Sequence, residues 1–277
     1  MALVRRILLI PPIRWVLFGA IQLLISLPFS FLPLPDWLGW ISRILLPLGA
    51  LALLVWGVER RPLAEGGLGL QGSLRDLLVG LTGGGVLMGL VIGVLALLGW
   101  YRVEGFVWNG PLLLSAIAFW LEVAIREEVY FRAVLFRSVE EYLGSWASLA
   151  ISALFFGLAH HANPNASWIS SLGIAVEAGV LLAAAYMLTR SLWLAIGVHW
   201  GWNLFQGTIF GAPVSGLQIE GLLRVSMTGP EWATGGRFGP EAGLVAILLA
   251  TAFGLGLLYW AAWRGQVQPP FWRRPKE

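Results

Sequence analysis

The chain returns repeatedly to apolar stretches of about 20 residues that carry almost no charge, and no other feature restricts its fold so strongly. In hydrocarbon every backbone N–H and C=O must be satisfied within the protein, so stretches of this length become membrane-spanning helices. A window of about 19 residues marks eight of them, at roughly 15–34, 37–57, 77–100, 112–139, 146–161, 168–189, 191–210 and 241–263. Only 12% of the 277 residues are charged, against about 25% in an ordinary soluble domain. The 16 tryptophans and 35 glycines suit the aromatic belts and close helix contacts of a membrane bundle. The expected fold is therefore all-α: a polytopic membrane helix bundle of about eight helices. No Ser/Gly linker or shift of composition divides residues 1–277, which read as one integral membrane domain.

The connectors carry turn chemistry, as in "LPLPD" near 32–36 and "HANPNAS" at 161–167. The start of the chain, "MALVRRILLIPPIRW", has its apolar run broken by Pro11, Pro12 and Arg14 and reads as a retained interfacial lead-in. The sequence pI of 9.7 does not point to nucleic acid, because the basic residues stand singly between apolar spans. Putting both termini in the cytoplasm places twelve Lys and Arg inside and three, Arg102, Arg224 and Arg237, outside. An even number of spans in the cell membrane with both ends inside is the expectation.

Against this background "AIREEVYFRAVLF", residues 124–136, is anomalous, because an ionised side chain at a bilayer centre costs about 2.5–3.5 kcal/mol on insertion scales. Glu128 and Arg132 are spaced i,i+4 and can pair on one helical face, whereas Glu127 is turned about 100° away and can face a cavity. A structural triad that fixes helix packing needs no more than this. Two further helices supply polar groups, however: His160 one turn after Phe156, and His199 with Asn203 at i,i+4. At about 1.5 Å per residue these groups fall at overlapping depths in a layer about 30 Å thick, which suggests a single site. A glutamate beside a histidine can take a proton from water, and a histidine and an asparagine can donate to a developing oxyanion. The set suits peptide hydrolysis without a covalent intermediate. A thiol mechanism lacks its cysteine, and the only aspartates, Asp36 and Asp76, lie at membrane edges. There is no G-x-S-x-G elbow and no H-E-x-x-H helix. A zinc site built from Glu127, His160 and His199 stays open on ligand types alone.

With these residues the chain resembles the CPBP intramembrane proteases, also called the Abi or type II CAAX prenyl endopeptidase family. That family's pattern is E-E-x-x-x-R, then F-x-x-x-H, then H-x-x-x-N or D; here the three read "EEVYFR" (127–132), "FGLAH" (156–160) and "HWGWN" (199–203). The resemblance covers about residues 112–210, taken as the catalytic core. It implies that Glu127 activates water with help from His160, that Glu128 and Arg132 shape and polarise the site, and that His199 and Asn203 form the oxyanion hole. It implies a glutamate-type mechanism with no cofactor, and so argues against zinc. The implied substrate is a peptide or protein whose extended or C-terminal segment enters from the membrane or the cytoplasm. CAAX-type processing and bacterial peptide or membrane-protein cleavage both fall within the family. A non-enzymatic immunity or scaffold protein that keeps the core for packing is the competing class. Two residues fall outside the motifs: Glu177 reads as a hydrogen-bonded or protonated packing residue, and His161 as a helix-end residue.

Overall fold

The computed structural model describes residues 10–273. The basic residues Arg5, Arg6, Arg274 and Lys276, and most of the expected lead-in, lie outside that range. All eight expected segments are helical. They are α1 (Pro11–Ser30), α2 (Asp36–Ala52, prolonged by a π-helical turn over Leu53–Val58), α3 (Ser73–Leu97), α4 (Gly110–Glu128), α5 (Arg137–Ala159), α6 (Trp168–Ile174) with α7 (Val180–Thr189), α8 (Leu192–Asn203), and α10 (Leu244–Trp263) after the single turn α9 (Glu231–Thr234). Two antiparallel strands, β1 (Tyr101–Phe106) and β2 (Leu223–Met227), are added to the bundle.

Among the described residues six helices are long and apolar enough to cross a membrane. Two physical causes separate six from the expected eight. First, the expected fourth and fifth spans run together as Gly110–Ala162, broken at Gly144, whose φ of 77° belongs to the left-handed region that glycine reaches without strain. A side chain at Gly144 would also meet the backbone of Gln268 and Pro270. Second, α8 with its π-helical extension Leu204–Ile209 carries His199, Asn203 and Gln206, so its apolar content is too low for a lipid-facing span. Most of α8 is buried in protein, where such side chains find polar company.

The tightest helix contact is between α3 and α8. Gly80 and Gly84 of α3 lie against the backbone of Leu194, Val198 and Trp202, while Gly197 and Gly201 of α8 lie against Leu77 and Leu81. Small residues four apart on both helices bring the two backbones into contact, which compensates for the missing hydrophobic drive between helices in lipid. The helix that carries His199 and Asn203 is thereby pinned by backbone contact.

The strands had no counterpart in the sequence reading. β1 pairs with β2 from Tyr101↔Met227 to Phe106↔Leu223, with an irregularity between Val103 and Gly105. The buried Tyr101 hydroxyl donates to the Phe210 carbonyl at 2.7 Å, and burial pushes its phenol up to about 12.

A buried ion network ties the opposite end of the bundle. Arg137 makes two bonds of 2.7 Å to Glu59, the forked geometry that suits a guanidinium and a carboxylate. Arg14, fully buried, reaches Glu141 at 2.7 Å and Ser138 at 3.3 Å, and Arg61 also bonds to Glu141. Arg190 caps the cluster at Glu140, 2.9 Å away.

Candidate functional site

Glu127 and Glu128 close α4, and a π-helical stretch, Val129–Phe136, begins immediately after them. The widened turn does not separate Arg132 from Glu128. Arg132 Nη1 donates to Glu128 Oε1 at 3.3 Å, and Nε lies 3.2 Å from Oε2 as an ion pair. The same guanidinium donates to the carbonyls of Gly179 (3.3 Å) and Ala178 (3.4 Å) and sits 4.6 Å above the Phe156 ring. Both Arg132 and Glu128 have no solvent exposure. This charge is buried with a carboxylate, two carbonyls and an aromatic face, so none of its attractive partners is optional.

Glu128 has a second duty. Its Oε1 receives a hydrogen bond from His199 Nδ1 at 2.9 Å, which leaves Nε2 as the free ring position of His199. His160 is held in the same manner by a different partner. It stands where α5 gives way to the short 3₁₀ turn His160–Ala162, and its Nδ1 donates to the Phe156 carbonyl at 2.8 Å. A neutral His160 so bonded presents a lone pair at Nε2. The two free ring nitrogens converge on one atom: Glu127 Oε2 is 3.8 Å from His160 Nε2 and 3.9 Å from His199 Nε2. That oxygen is buried and has no hydrogen-bond partner among the described residues.

The six residues singled out in the sequence therefore come together from three helical segments. Glu127, Glu128, Arg132, His160 and His199 are in direct or near contact. Asn203 lines a narrow cavity of about 30 Å³ together with His160 and His199. The helix geometry after Asn203 again changes to a π-helical turn, Leu204–Ile209. Wide turns of this kind recur at functional positions in helices, and here they follow Glu128 and Asn203, in two of the three motif-bearing segments.

His161 behaves as expected of a helix-end residue, with Nδ1 3.0 Å from Ser171 Oγ and its ring stacked on Trp168 at 4.2 Å. Glu177 differs from its expectation in one respect. It lies in a π-helical turn, Ala175–Gly179, is buried, and neither carboxylate oxygen has a hydrogen-bond partner among the described residues. It also lines the cavity beside His160 and His199. Sequence reasoning passed over Glu241 on the same cavity wall. The signal was present: an acid in "GPEAG" directly before an apolar span. The fold turns that acid inward, where the Gln206 side chain and the Ser215 backbone N–H donate to it.

Glu127, His160 and His199 carry ligand types that zinc accepts. No group of three or more His, Cys, Asp or Glu residues among those described has the spacing to hold a metal ion.

The fold and the site define a class: a multi-pass helical membrane protein with a carboxylate–histidine centre buried in the bundle. Residues 108–205 match the family described as type II CAAX prenyl endopeptidase Rce1-like, which bears out the resemblance read from the three motifs. All six candidate residues lie within the matched segment. The family is one of intramembrane CAAX-type proteases, so a protein substrate and a lipid bilayer are the partners it implies. Neither the curated proteins nor the solved structures contain a match to the chain.

Proposed function

We propose that this protein is a glutamate-type intramembrane endopeptidase whose hydrolytic water is activated by Glu127 and His160. The observation that carries the reading is the convergence of two independently held histidine rings on the unpartnered Oε2 of Glu127. A water placed against both Glu127 Oε2 and His160 Nε2 can lose its proton to the pair as it attacks a peptide carbonyl. The tetrahedral oxyanion then needs donors. Asn203 offers its amide, and His199 offers Nε2–H in its doubly protonated form, with Nδ1 anchored on Glu128. Glu128 and Arg132 act through His199: they hold its ring and touch no reacting atom. The substrate enters as an extended segment or a C-terminus, and the chain works as one membrane unit with its catalytic core at 112–210.

The grouping of charges supports cytoplasmic termini in the cell membrane. Arg14, Arg61, Arg137 and Arg190, all assigned to one side by the arginine bias, join one cluster with Glu59, Glu140 and Glu141. Arg102 and Arg224, assigned to the other side, lie on paired strands.

A packing role for the core requires Glu128 and Arg132 alone and leaves the convergence on Glu127 without purpose. The test is hydrolysis of a peptide library by purified full-length protein. Glu127→Gln and His160→Ala should each abolish cleavage while the protein remains folded by circular dichroism. Wild-type activity should survive exhaustive chelation. Normal turnover by either variant would remove the water-activating pair, and activity lost on chelation and restored by zinc would replace it with a metal mechanism.

A further inference from the structure

The cavity beside the histidines is small and has two unlike sides. It measures about 30 Å³, room for about one or two waters, and lies between the apolar side chains of Phe156, Leu181 and Trp202 and two carboxyl groups, Glu177 and Glu241. Both acids are at most 2% exposed. Glu241 is held by Gln206 and by the Ser215 backbone N–H. Glu177 accepts from nothing among the described residues, although a buried carboxyl group that finds no partner is costly. Its placement is nevertheless built in. Glu177 lies in the π-helical turn Ala175–Gly179, and Arg132 donates to the carbonyls of Ala178 and Gly179 directly after it. A space of this size lined by hydrocarbon alone stays dry, whereas one with several polar partners holds ordered water.

We propose that this cavity is a water-retention site for the hydrolytic reaction, and that Glu177 is the positioning residue that keeps water in it. The inference rests on the protease reading above. His160, His199 and Asn203 line the same space, and both rings reach Glu127 Oε2, at 3.8 and 3.9 Å, so stored water lies one imidazole away from the proposed base. Each turnover consumes one water. Its oxygen bonds to the peptide carbonyl carbon and stays in the new carboxylate. Its two protons end on the amine, which leaves as an ammonium when the C–N bond breaks. A bilayer core supplies no water of its own, so a store that refills the catalytic pair has to carry its own polar partners. Glu177 brings two free oxygens to that store, and the water in turn satisfies Glu177.

Two measurements on the full-length protein in detergent test it. The first needs no turnover: X-ray radiolytic hydroxyl labelling, which oxidises buried side chains only where water is held against them. Phe156 on the cavity wall and Phe18 in the apolar core are 1% and 0% exposed, so bulk solvent reaches neither. Phe156 should be oxidised in the wild type and in Glu127→Gln while Phe18 is not, and Glu177→Leu should lower Phe156 to the level of Phe18. Equal labelling of the two rings in the wild type overturns the water site, whether or not the variants fold. Wild-type labelling of Phe156 in folded Glu177→Leu overturns the role of Glu177. The second measurement is peptide hydrolysis. Glu177→Leu should lower kcat by about tenfold or more with KM unchanged, and Glu177→Gln, whose amide still bonds water, should recover most of the loss. A normal kcat in Glu177→Leu, or a loss confined to KM, overturns the supply of water from this cavity. Labelled Phe156 without hydrolysis of any peptide by the wild type overturns the protease reading and leaves the water site in place.

Discussion

Arg132 has more partners than its motif spacing implies, and its loss should be felt at once in stability and in the site. Glu128, two carbonyls and the Phe156 ring surround the guanidinium. Arg132→Ala leaves Glu128 buried with His199 as its one remaining side-chain partner, and removing one member of a buried pair costs about 3–5 kcal/mol in soluble proteins. Unfolding in detergent should register a loss of that order, with Arg132→Lys recovering part of it; an unchanged midpoint for the alanine variant would mean the pair is not buried as described. Asn203 should behave in the opposite way. It is proposed to act on charge that exists only in the transition state, so Asn203→Ala should keep its thermal stability and its KM. Its kcat should fall by about 10²–10³-fold, the usual effect of deleting one oxyanion donor. Lost stability with unchanged kcat in the folded fraction would assign Asn203 to packing instead. At this scale much of the site was legible, because glutamates, an arginine and histidines are conspicuous in a span where charge is costly. Glu241 was not, since an acid at the edge of a span looks solvated until the fold turns it inward.

Among the elements, α8 is the one whose position decides the chemistry, and its position depends on four glycines. Gly80 and Gly84 on α3 face Gly197 and Gly201 on α8 across a contact with no room for side chains. Gly201→Leu would push α8 away from α3 and carry His199 and Asn203 with it. We expect destabilisation of at least about 1–3 kcal/mol, the usual effect of overpacking a tight contact, together with loss of cleavage although no catalytic side chain has changed. Gly83→Leu is the control: it sits on α3 beside Gly84, but an added Cβ there meets nothing within 4 Å, and it should leave both quantities close to wild type. The helical period and the apolar length placed α8 in the sequence. Its central location did not follow from them, because neither period nor length says which helices surround it.

The whole molecule carries charge at two ends, the arginine–glutamate network and the paired strands, besides the pairs buried between them. The chain lacks cysteine, so single cysteines can be introduced without background. Glu65→Cys, exposed beside the network, should react with an impermeant maleimide only from the cytoplasmic side of a native membrane. Glu104→Cys, exposed on β1, should react only from the other side. Labelling of both from one side would reject the proposed topology, and the reverse pattern would invert it.

The sequence alone determined the membrane class, the helical segments and the charged residues of the three motifs, because length, hydropathy and the cost of isolated charge are local properties of a chain. It could also pair Glu128 with Arg132, since an i,i+4 contact is made within one helix. The convergence of His160 and His199 on Glu127, the bond from His199 to Glu128, and the joining of Glu177 to Glu241 across one cavity were decided by the tertiary structure. Each of these links residues on different helices, and helix period constrains the faces they occupy without fixing which helices meet. Backbone contact at small glycines, one helix break at Gly144 and the wide turns after Glu128 and Asn203 settle that choice through packing, which no local property of the sequence encodes.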